Sequence, residues 1–383
     1  MKINNEFFAT TVPGLETLMN SELNKFGIKN NLIRDGIIYF RADSEKALSF
    51  LYSTNVCGNV SLIILKEKIS SYDELYRTAK NSVKWDAIFS ADKSFMIRSA
   101  IISSPLKHSG FASLKLKDAI ADYFREKFNK RPDINKDSPD IVIELRVFKT
   151  SAVIGINLAG RSLFKRGYRI ETNAAPLKET LAAGIAGMAL NNNNNIKYKK
   201  IIDPMCGSGT IIIESALQIM RIPPQKFNPN FSFVKSNLDI KEYFSGVKLK
   251  LDKLANDSTR YEFFAFDNSQ TFVDSAKKNI ENAGLSNIIK TDKQDFFNPS
   301  FDMTDSIIIF NPPHGERMQG ARNLEYFYGK IGDTVKKYCG NSAVYIFCPA
   351  EENLISKISL KPVSKLNLNN GKIRCNLLEF RIN

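Results

Sequence analysis

The segment DPMCGSGTIIIESA, residues 203–216, places a glycine-containing turn between a short apolar strand and a helix over 211–220. Gly207 and Gly209 let the backbone turn sharply, and the free N–H groups at the start of the helix can receive polar or negative ligand atoms. No Gly-Lys-Ser/Thr follows, which excludes a phosphate P-loop, and Ile212 stands where a dinucleotide fingerprint has its third glycine. The segment therefore predicts a ligand-binding turn of another kind.

Strands and helices alternate on either side of this turn. Apolar strands are predicted at 201–202, 261–266 and 306–310, with helices between them, which is typical of a parallel sheet in an α/β domain. Asn370-Gly371 predicts a tight hairpin turn, so the last strand, 375–382, is expected to run antiparallel. The fold class predicted for this half is α/β, with a Rossmann-like sheet and an antiparallel last strand.

The sequence of the N-terminal half predicts an α+β fold. Residues 1–65 predict a small α+β unit, and residues 66–160 predict a second unit with a long helix and three strands. A basic linker is expected over 161–176, and the sheet domain over 177–383. Residues 222–260 are expected to be an insertion, because the chain from Thr210 to the end of the next strand is longer than the ~20 residues typical after a nucleotide loop.

Composition narrows the class of protein. The 383 residues include 54 Lys+Arg and 40 Asp+Glu, a formal net charge of +14, which often marks a polyanionic partner. The five cysteines are scattered and form no C-x-x-C pair, so neither a disulfide framework nor a metal cluster is predicted, and reduced thiols in a cytoplasm fit best. No apolar run has the length of a signal-peptide core or a membrane span, and secretion and membrane insertion are not expected.

Two basic segments are candidates for binding RNA. The connector RSLFKRGYR carries Arg161, Lys165, Arg166 and Arg169 with aromatic residues between them, and basic groups bind phosphate while aromatic faces stack on bases. The connector could equally be a solvated linker whose aromatics pack in a domain interface. The polar loop around Lys107 has two interpretations as well: a solvated connection between elements, or a segment that contacts RNA.

Polar residues stand at the predicted strand ends, where ligands of an open α/β sheet bind. Asp267 is suited to accept hydrogen bonds from ribose hydroxyls, although it could instead cap the helix that follows. Asp295 could accept from an adenine amine, with Phe296 packing on the ring.

The tetrapeptide Asn311-Pro312-Pro313-His314 follows the strand 306–310. A side-chain amide oxygen and a backbone carbonyl fixed by proline can both accept hydrogen bonds from one exocyclic amine. The lone pair of such an amine is delocalised into the base, so two acceptors that orient the NH2 group favour its attack on an electrophilic methyl group, without a metal. His314 would stack on a base lifted out of its helix. A Pro-rich turn that merely ends a strand is the alternative.

These motifs resemble the class I S-adenosylmethionine-dependent methyltransferases that act on amino groups of nucleic acid bases. KRGYR at 165–169, APLKE at 175–179, residues 203–216 and NPPHGERM at 311–318 are similar to the THUMP-domain RNA methyltransferases, in particular the bacterial 23S rRNA guanine-N2 enzymes and relatives often labelled adenine-N6 methylases. The resemblance implies a ferredoxin-like unit, a THUMP domain that binds RNA, and a methyltransferase domain. His314 departs from the family pattern, which usually has Tyr or Phe there.

The resemblance also implies the site residues. S-adenosylmethionine would be held by Asp203, Pro204, Cys206, Gly207, Ser208, Gly209, Asp267, Asn268, Asp295 and Phe296. Arg317 joins the RNA-binding candidates. The preferred function is methylation of guanine N2 in ribosomal RNA. Adenine N6 methylation of RNA or DNA uses the same tetrapeptide, and a non-catalytic RNA-binding assembly factor is a third hypothesis.

Overall fold

A computed structural model describes residues 5–29, 31–171, 177–193, 198–313 and 321–383. Within these ranges the chain forms two seven-stranded sheets. The N-terminal sheet takes its strands from the first 157 residues, and the C-terminal sheet takes its strands from residue 200 onward. The predicted division into an α+β half and a Rossmann-like half is confirmed.

The N-terminal sheet has the strand order β2-β3-β1-β4-β7-β6-β5, and all its neighbours are antiparallel except β5 and β6. Its elements are β1 (Glu6–Thr11), α1 (Glu16–Lys25), β2 (Leu32–Arg34), β3 (Ile37–Arg41), α2 (Ser44–Ser53), β4 (Cys57–Lys68), α3 (Tyr72–Ser82), β5 (Phe95–Ile102), α4 (Ser109–Phe128), β6 (Ile141–Phe148) and β7 (Ser151–Asn157). Side-chain caps start two of the helices: Asp43 accepts from the Lys46 amide ahead of α2, and Ser71 accepts from the Glu74 amide ahead of α3.

Strand β4 joins the two N-terminal units into one sheet. Leu62 of β4 stands opposite Phe7 of β1 on one side and opposite Ile156 of β7 on the other. The strand has 12 residues, so the expected boundary between 1–65 and 66–160 falls inside it. Because β4 pairs along both edges, the two units share their backbone hydrogen bonds.

The C-terminal sheet has the strand order β10-β9-β8-β11-β12-β14-β13, and its first five strands are parallel. Its elements are α5 (Glu179–Asn191), β8 (Lys200–Asp203), α6 (Thr210–Ile219), α7 (Phe244–Asp252), β9 (Glu262–Asp267), α8 (Gln270–Asn282), β10 (Ile289–Lys293), β11 (Ser306–Phe310), α9 (Ala321–Tyr338), β12 (Ser342–Pro349), α10 (Glu352–Lys357), β13 (Ser364–Asn370) and β14 (Ile373–Ile382). Strand β14 is antiparallel to β12 and β13, and Gly371 has a φ of +64° in the hairpin turn. Both sequence predictions for this segment are confirmed.

The insertion connects the two halves. After three short 3-10 helices at 224–227, 232–235 and 239–243, it continues as α7. The Phe233 amide donates to the Leu158 carbonyl oxygen at 3.1 Å, just after β7. The Tyr52 hydroxyl on α2 donates to Asp252 at 2.9 Å, and Tyr52 also packs edge-on against Phe244. These contacts hold the insertion, and through it the C-terminal half, against the N-terminal sheet.

Candidate functional site

Three polar side chains follow three neighbouring parallel strands. Asp203 ends β8, Asp267 ends β9, and Asn311 directly follows β11, and these strands are adjacent in the order β9-β8-β11. Since carboxyl ends of parallel strands meet at the same edge of a sheet, the structure brings the three predicted site residues to one edge.

The glycine-containing turn is tied to the neighbouring strand. Gly207 and Gly209 have φ values of +53° and +79°, a conformation that favours glycine. The Cys206 amide donates to the Phe266 carbonyl oxygen at 2.8 Å, and the Gly207 amide donates to Asp267 Oδ2 at 3.0 Å. The turn therefore presents its backbone and the start of α6 toward the edge that Asp267 occupies.

Both carboxylates at this edge are buried. Asp267 accepts from the amides of Gly207 and Ser269, each at 3.0 Å, so its role in the fold is to order the turn rather than only to cap α8. A carboxylate has about four acceptor positions, so two bonds leave acceptor capacity for a ligand. Burial is the main cause that raises the pKa of Asp203 and of Asp267, and the nearby Asp267 charge adds to the shift at Asp203.

The next loop along the sheet edge follows β10. Asp295 is exposed and accepts from the Phe297 amide at 3.0 Å, and Asn268 is also exposed. Phe296 is buried, with its ring centroid 5.2 Å from that of Phe310. The expectation that Phe296 packs on an adenine ring is therefore corrected: its ring belongs to the core beneath the site. Pro204 and Ser208 are buried within the turn.

Asn311 carries an unsatisfied acceptor. Its side-chain oxygen Oδ1 is buried and has no hydrogen-bond partner among the residues that the structure describes. A buried polar atom without a partner costs about 1–3 kcal/mol, so such atoms are rare outside functional sites. Pro312 is buried and Pro313 half-buried. His314 and Arg317 lie outside the described residues.

The basic connector is used mainly inside the protein. Arg166 is fully buried, and its guanidinium donates to the Leu163 carbonyl oxygen at 3.0 Å and to the carbonyl oxygen of Asn55. Arg169 forms an ion pair with Glu179 at 3.0 Å.

Arg161 is half-buried and donates to Gln225 Oε1 at 2.9 Å. The RNA-contact prediction for Arg166 is therefore corrected, because a guanidinium enclosed by its own protein does not reach a phosphate. Of the connector's four basic side chains only Lys165 is exposed, and Lys107 is exposed as well. Residues 172–176 of the expected linker lie outside the described residues.

Glu214 was missed by the sequence analysis. It lies fully buried in α6, where Tyr168 donates to its Oε1 at 2.9 Å and Arg166 Nε lies 3.5 Å from the same oxygen. Burial raises the pKa of Glu214 to about 7, although Arg166 acts in the opposite direction. A lone carboxylate within the apolar helix TIIIESALQI is the signal that could have identified it.

The raised pKa of Glu214 predicts a pH-dependent stability. From its ordinary value of 4.5 up to about 7, the unfolded chain releases this proton while the folded chain keeps it. The free energy of unfolding of the wild type, minus that of Glu214→Gln, should therefore fall as pH rises through this window. Urea unfolding at several pH values measures the difference, and Glu281→Gln at an exposed position controls for the loss of a carboxylate. A difference that grows with pH would contradict the prediction.

Asn279 of α8 was also missed. It is fully buried, and its amide nitrogen donates to the carbonyl oxygens of Ser208 and Glu171, both at 3.0 Å. Its oxygen accepts from the Ile170 and Glu171 amides. Asn279 thus joins the connector to the glycine-containing turn, a contact over more than 70 residues that no local pattern predicts.

The described residues include neither a metal-binding cluster nor a membrane-spanning helix. No group of three or more His, Cys, Asp and Glu side chains in them is arranged to hold a metal ion. None of the helices described there combines the length and apolar composition that a bilayer crossing requires. All five cysteines are buried and unpaired by disulfides.

Comparisons with known proteins agree with this architecture. The chain is 31% identical over 374 residues, 96% of its length, to the ribosomal RNA large subunit methyltransferase K/L of Shewanella frigidimarina, but it covers 52% of that protein. It covers 50% of the corresponding Psychromonas ingrahamii protein, so it spans about half the length of these curated relatives. The Synechocystis protein slr0064, provisionally named an RNA methyltransferase, is 28% identical and matches over 98% of this chain and 96% of its own.

Solved structures and family models extend the comparison. The crystal structure of SMU.472 complexed with SAH superposes with a TM-score of 0.86 at 25% identity and covers 100% of this chain and 99% of its own. An RlmL ferredoxin-like domain model matches residues 6–54, and a THUMP domain model matches residues 70–157. The model of the RMKL-like methyltransferase domain matches residues 166–379, more than half of the chain. The resemblance predicted from the motifs is confirmed, and the chain belongs to the RMKL-like methyltransferase domain family.

Proposed function

We propose that this protein transfers a methyl group from S-adenosylmethionine to an exocyclic amine of an RNA base, guanine N2 in large-subunit ribosomal RNA. The observation that carries the proposal is the buried Oδ1 of Asn311, which has no hydrogen-bond partner among the described residues and lies at the sheet edge that also holds the glycine-containing turn and Asp267. An acceptor oxygen kept without a partner is suited to receive an N–H group from a ligand.

The chemistry of an exocyclic amine explains why acceptors are needed. The amine is a weak nucleophile, because its lone pair is delocalised into the base. Asn311 Oδ1 and the Pro312 carbonyl oxygen would each accept a hydrogen bond from one N–H group of the amine and so orient its nitrogen. They would also offset the positive charge that develops on nitrogen, and this electrostatic stabilisation is commonly the largest catalytic contribution.

The turn and its neighbours fit S-adenosylmethionine. A Cβ on Gly209 would lie 3.3 Å from Ala276 Cβ, so a side chain there would crowd the place where the backbone turns. Gly207 and the start of α6 would face the amino-acid part of the cofactor, and Asp267 would accept from its ribose hydroxyls. Asp295, which is exposed, would accept from the adenine amine. The cofactor supplies an electrophilic methyl group bound to sulfonium.

The choice of RNA rests on the N-terminal half and on the relatives. A THUMP domain model matches there, and the Shewanella and Psychromonas relatives are named for ribosomal RNA of the large subunit. The choice of guanine N2 rests on the resemblance of the four motifs together to the bacterial 23S rRNA guanine-N2 enzymes, because residues 311–314 alone also suit an adenine amine. We propose that Lys107 and Lys165, which are exposed, contact the RNA.

One experiment tests the proposal. The protein is incubated with methyl-labelled S-adenosylmethionine and total RNA that lacks the modification, and labelled nucleosides are identified by mass spectrometry. N2-methylguanosine in large-subunit RNA is expected. Labelled N6-methyladenosine would overturn the choice of base, and RNA binding without any transfer would support an assembly factor instead.

The role of Asp267 gives a separate prediction. Asp267→Ala removes the ribose acceptor and the bond that orders Gly207, so the affinity for S-adenosylmethionine should fall by at least about thirtyfold, the size of one or two charge-assisted hydrogen bonds. Isothermal titration calorimetry measures it. Asp257→Ala, at an exposed position, is the matched control. Unchanged affinity in Asp267→Ala would place the cofactor elsewhere.

A further inference from the structure

Basic side chains other than the connector arginines, which pair inside the protein, line a surface of the N-terminal half. Helices α1 to α4 cover one face of the N-terminal sheet, and Phe8, Ile63 and Val153 form a separate small apolar cluster on the other face. Next to this cluster is a groove of about 450 Å³, here called the basic groove. The side chains that line it include Arg34, Asp35, Tyr39, Lys66, Arg146 and Phe148.

The sheet curls to form this groove. Strands β2 and β6 are five places apart in the strand order, about 24 Å across a flat sheet at ~4.8 Å per strand. Nevertheless, the Arg34 guanidinium carbon of β2 lies 5.8 Å from the ring centroid of Phe148 at the end of β6. The face is therefore concave, and side chains from strands near the two opposite edges of the sheet line the same groove.

The groove carries positive charge without matching negative charge. Arg34, Lys66 and Arg146 line it, against the single carboxylate of Asp35. In the part of the chain that the structure describes, none of these three cations has an ion-pair partner. Arg146 Nε is buried and has no hydrogen-bond partner there, although its guanidinium lies 5.4 Å from the Phe8 ring centroid. Arg34 and Lys66 are exposed and Arg146 is half-buried, and positive charge without an ion-pair partner among the described residues attracts an anionic ligand.

Aromatic and apolar surface lies between the cations. Phe148 is 45% exposed, and Ile102, which also lines the groove, is 57% exposed. Both Arg34 and Arg146 lie close enough to Tyr39 to lower its pKa, although burial outweighs them and raises it. Arg34 and Lys149 lie 5.8 and 5.7 Å from the Phe148 ring centroid. Cations beside an exposed aromatic ring are the usual combination in sites for single-stranded nucleic acid, where the cations bind phosphates and the ring stacks on a base.

We propose that the basic groove binds single-stranded RNA, with a base stacked on Phe148 and backbone phosphates at Arg34, Lys66 and Arg146. The inference rests on the proposed function for its choice of RNA over other polyanions. An unpaired strand is favoured over a duplex because stacking on Phe148 needs a base face that a helix would cover. An acidic peptide would use the cations but not the exposed ring.

The test measures affinity by fluorescence anisotropy with the full chain and a labelled single-stranded 12-nucleotide RNA of mixed sequence. Lys66→Gln and Arg146→Gln should each weaken binding about three- to tenfold and reduce the salt slope, which is ~0.7 per phosphate contact. Phe148→Ala should weaken it about tenfold or more through lost stacking.

The matched controls lie on the helix-covered side of the same domain: Lys84→Gln, exposed, and Phe128→Ala, 48% exposed. Both should leave the affinity within about twofold. Thermal unfolding checks that all variants are folded.

The outcomes separate this inference from the proposed function. If groove and control variants bind the RNA equally, the groove is not the site, even where the wild type transfers methyl groups. If Phe148→Ala binds normally and only the cation variants weaken, no base stacks on Phe148, and the inference is overturned. Selective loss in the groove variants supports the inference whether or not methyl transfer is detected.

Discussion

Asn311→Ala is expected to lower the rate of methyl transfer by a factor of about 10² to 10³, while the affinity for S-adenosylmethionine stays within about twofold of the wild type. The factor is that of one preorganised hydrogen-bonding group removed from a site where charge develops. The cofactor affinity should persist because the residues proposed to hold the cofactor follow β8, β9 and β10, whereas Asn311 follows β11.

Single-turnover transfer to RNA and calorimetric titration of the cofactor measure the two quantities separately. Asn256→Ala is the matched control, because this asparagine is exposed in the loop after α7. Nearly normal transfer by Asn311→Ala would remove this side chain from the mechanism, and joint loss of transfer and cofactor binding would indicate a structural role.

Arg166→Met is expected to destabilise the protein by about 3–5 kcal/mol, the typical cost of removing one partner of a buried ion pair. The substitution leaves the Glu214 carboxylate without its nearby cation, and it leaves the carbonyl oxygens of Asn55 and Leu163 without a donor. The loss should be greatest above pH 7, where the Glu214 carboxyl is ionised in the fold.

Lys165→Met is the control, because the neighbouring side chain is exposed and its substitution should change the free energy of unfolding by less than about 0.5 kcal/mol. The double variant Arg166→Met/Glu214→Gln should recover part of the loss, since no uncompensated charge then remains. Chemical denaturation measures all four proteins. A stable Arg166→Met variant with weakened RNA binding would restore the original prediction that Arg166 contacts RNA.

The sequence predicts best where one pattern acts alone. Strand β11 is predicted over its observed bounds, because it is a short β-branched and aromatic run with clear ends. The hairpin between β13 and β14 follows from Asn370-Gly371, a pair suited to positive φ. The rule that ligands of such sheets bind beyond the strand ends predicts Asp203, Asp267 and Asn311 as site residues, and the structure brings these three residues to one edge of the sheet.

The features that the sequence does not predict depend on contacts between distant parts of the chain. Strand β4 is not predicted, because its first residues are buried on both faces and its last residues are exposed. A register shift between Ile63 and Leu65 also interrupts the alternation of its inward-facing and outward-facing residues. The connector arginines are predicted to contact RNA because charge is visible in a sequence, while Glu214 and Asn55, two of the partners of Arg166, lie 48 and 111 residues away along the chain. Contacts over such separations carry no local pattern.

The insertion after α6 has a consequence for substrate choice. Because residues 232–252 are held to the strands and helices of the N-terminal half by hydrogen bonds and aromatic packing, the two halves cannot hinge freely about the connector. An RNA bound to the N-terminal half would bring a nucleotide to the Asn311 edge only at one distance along the RNA backbone. The protein would then select its target nucleotide by its distance from the bound part of the RNA as well as by the identity of the base.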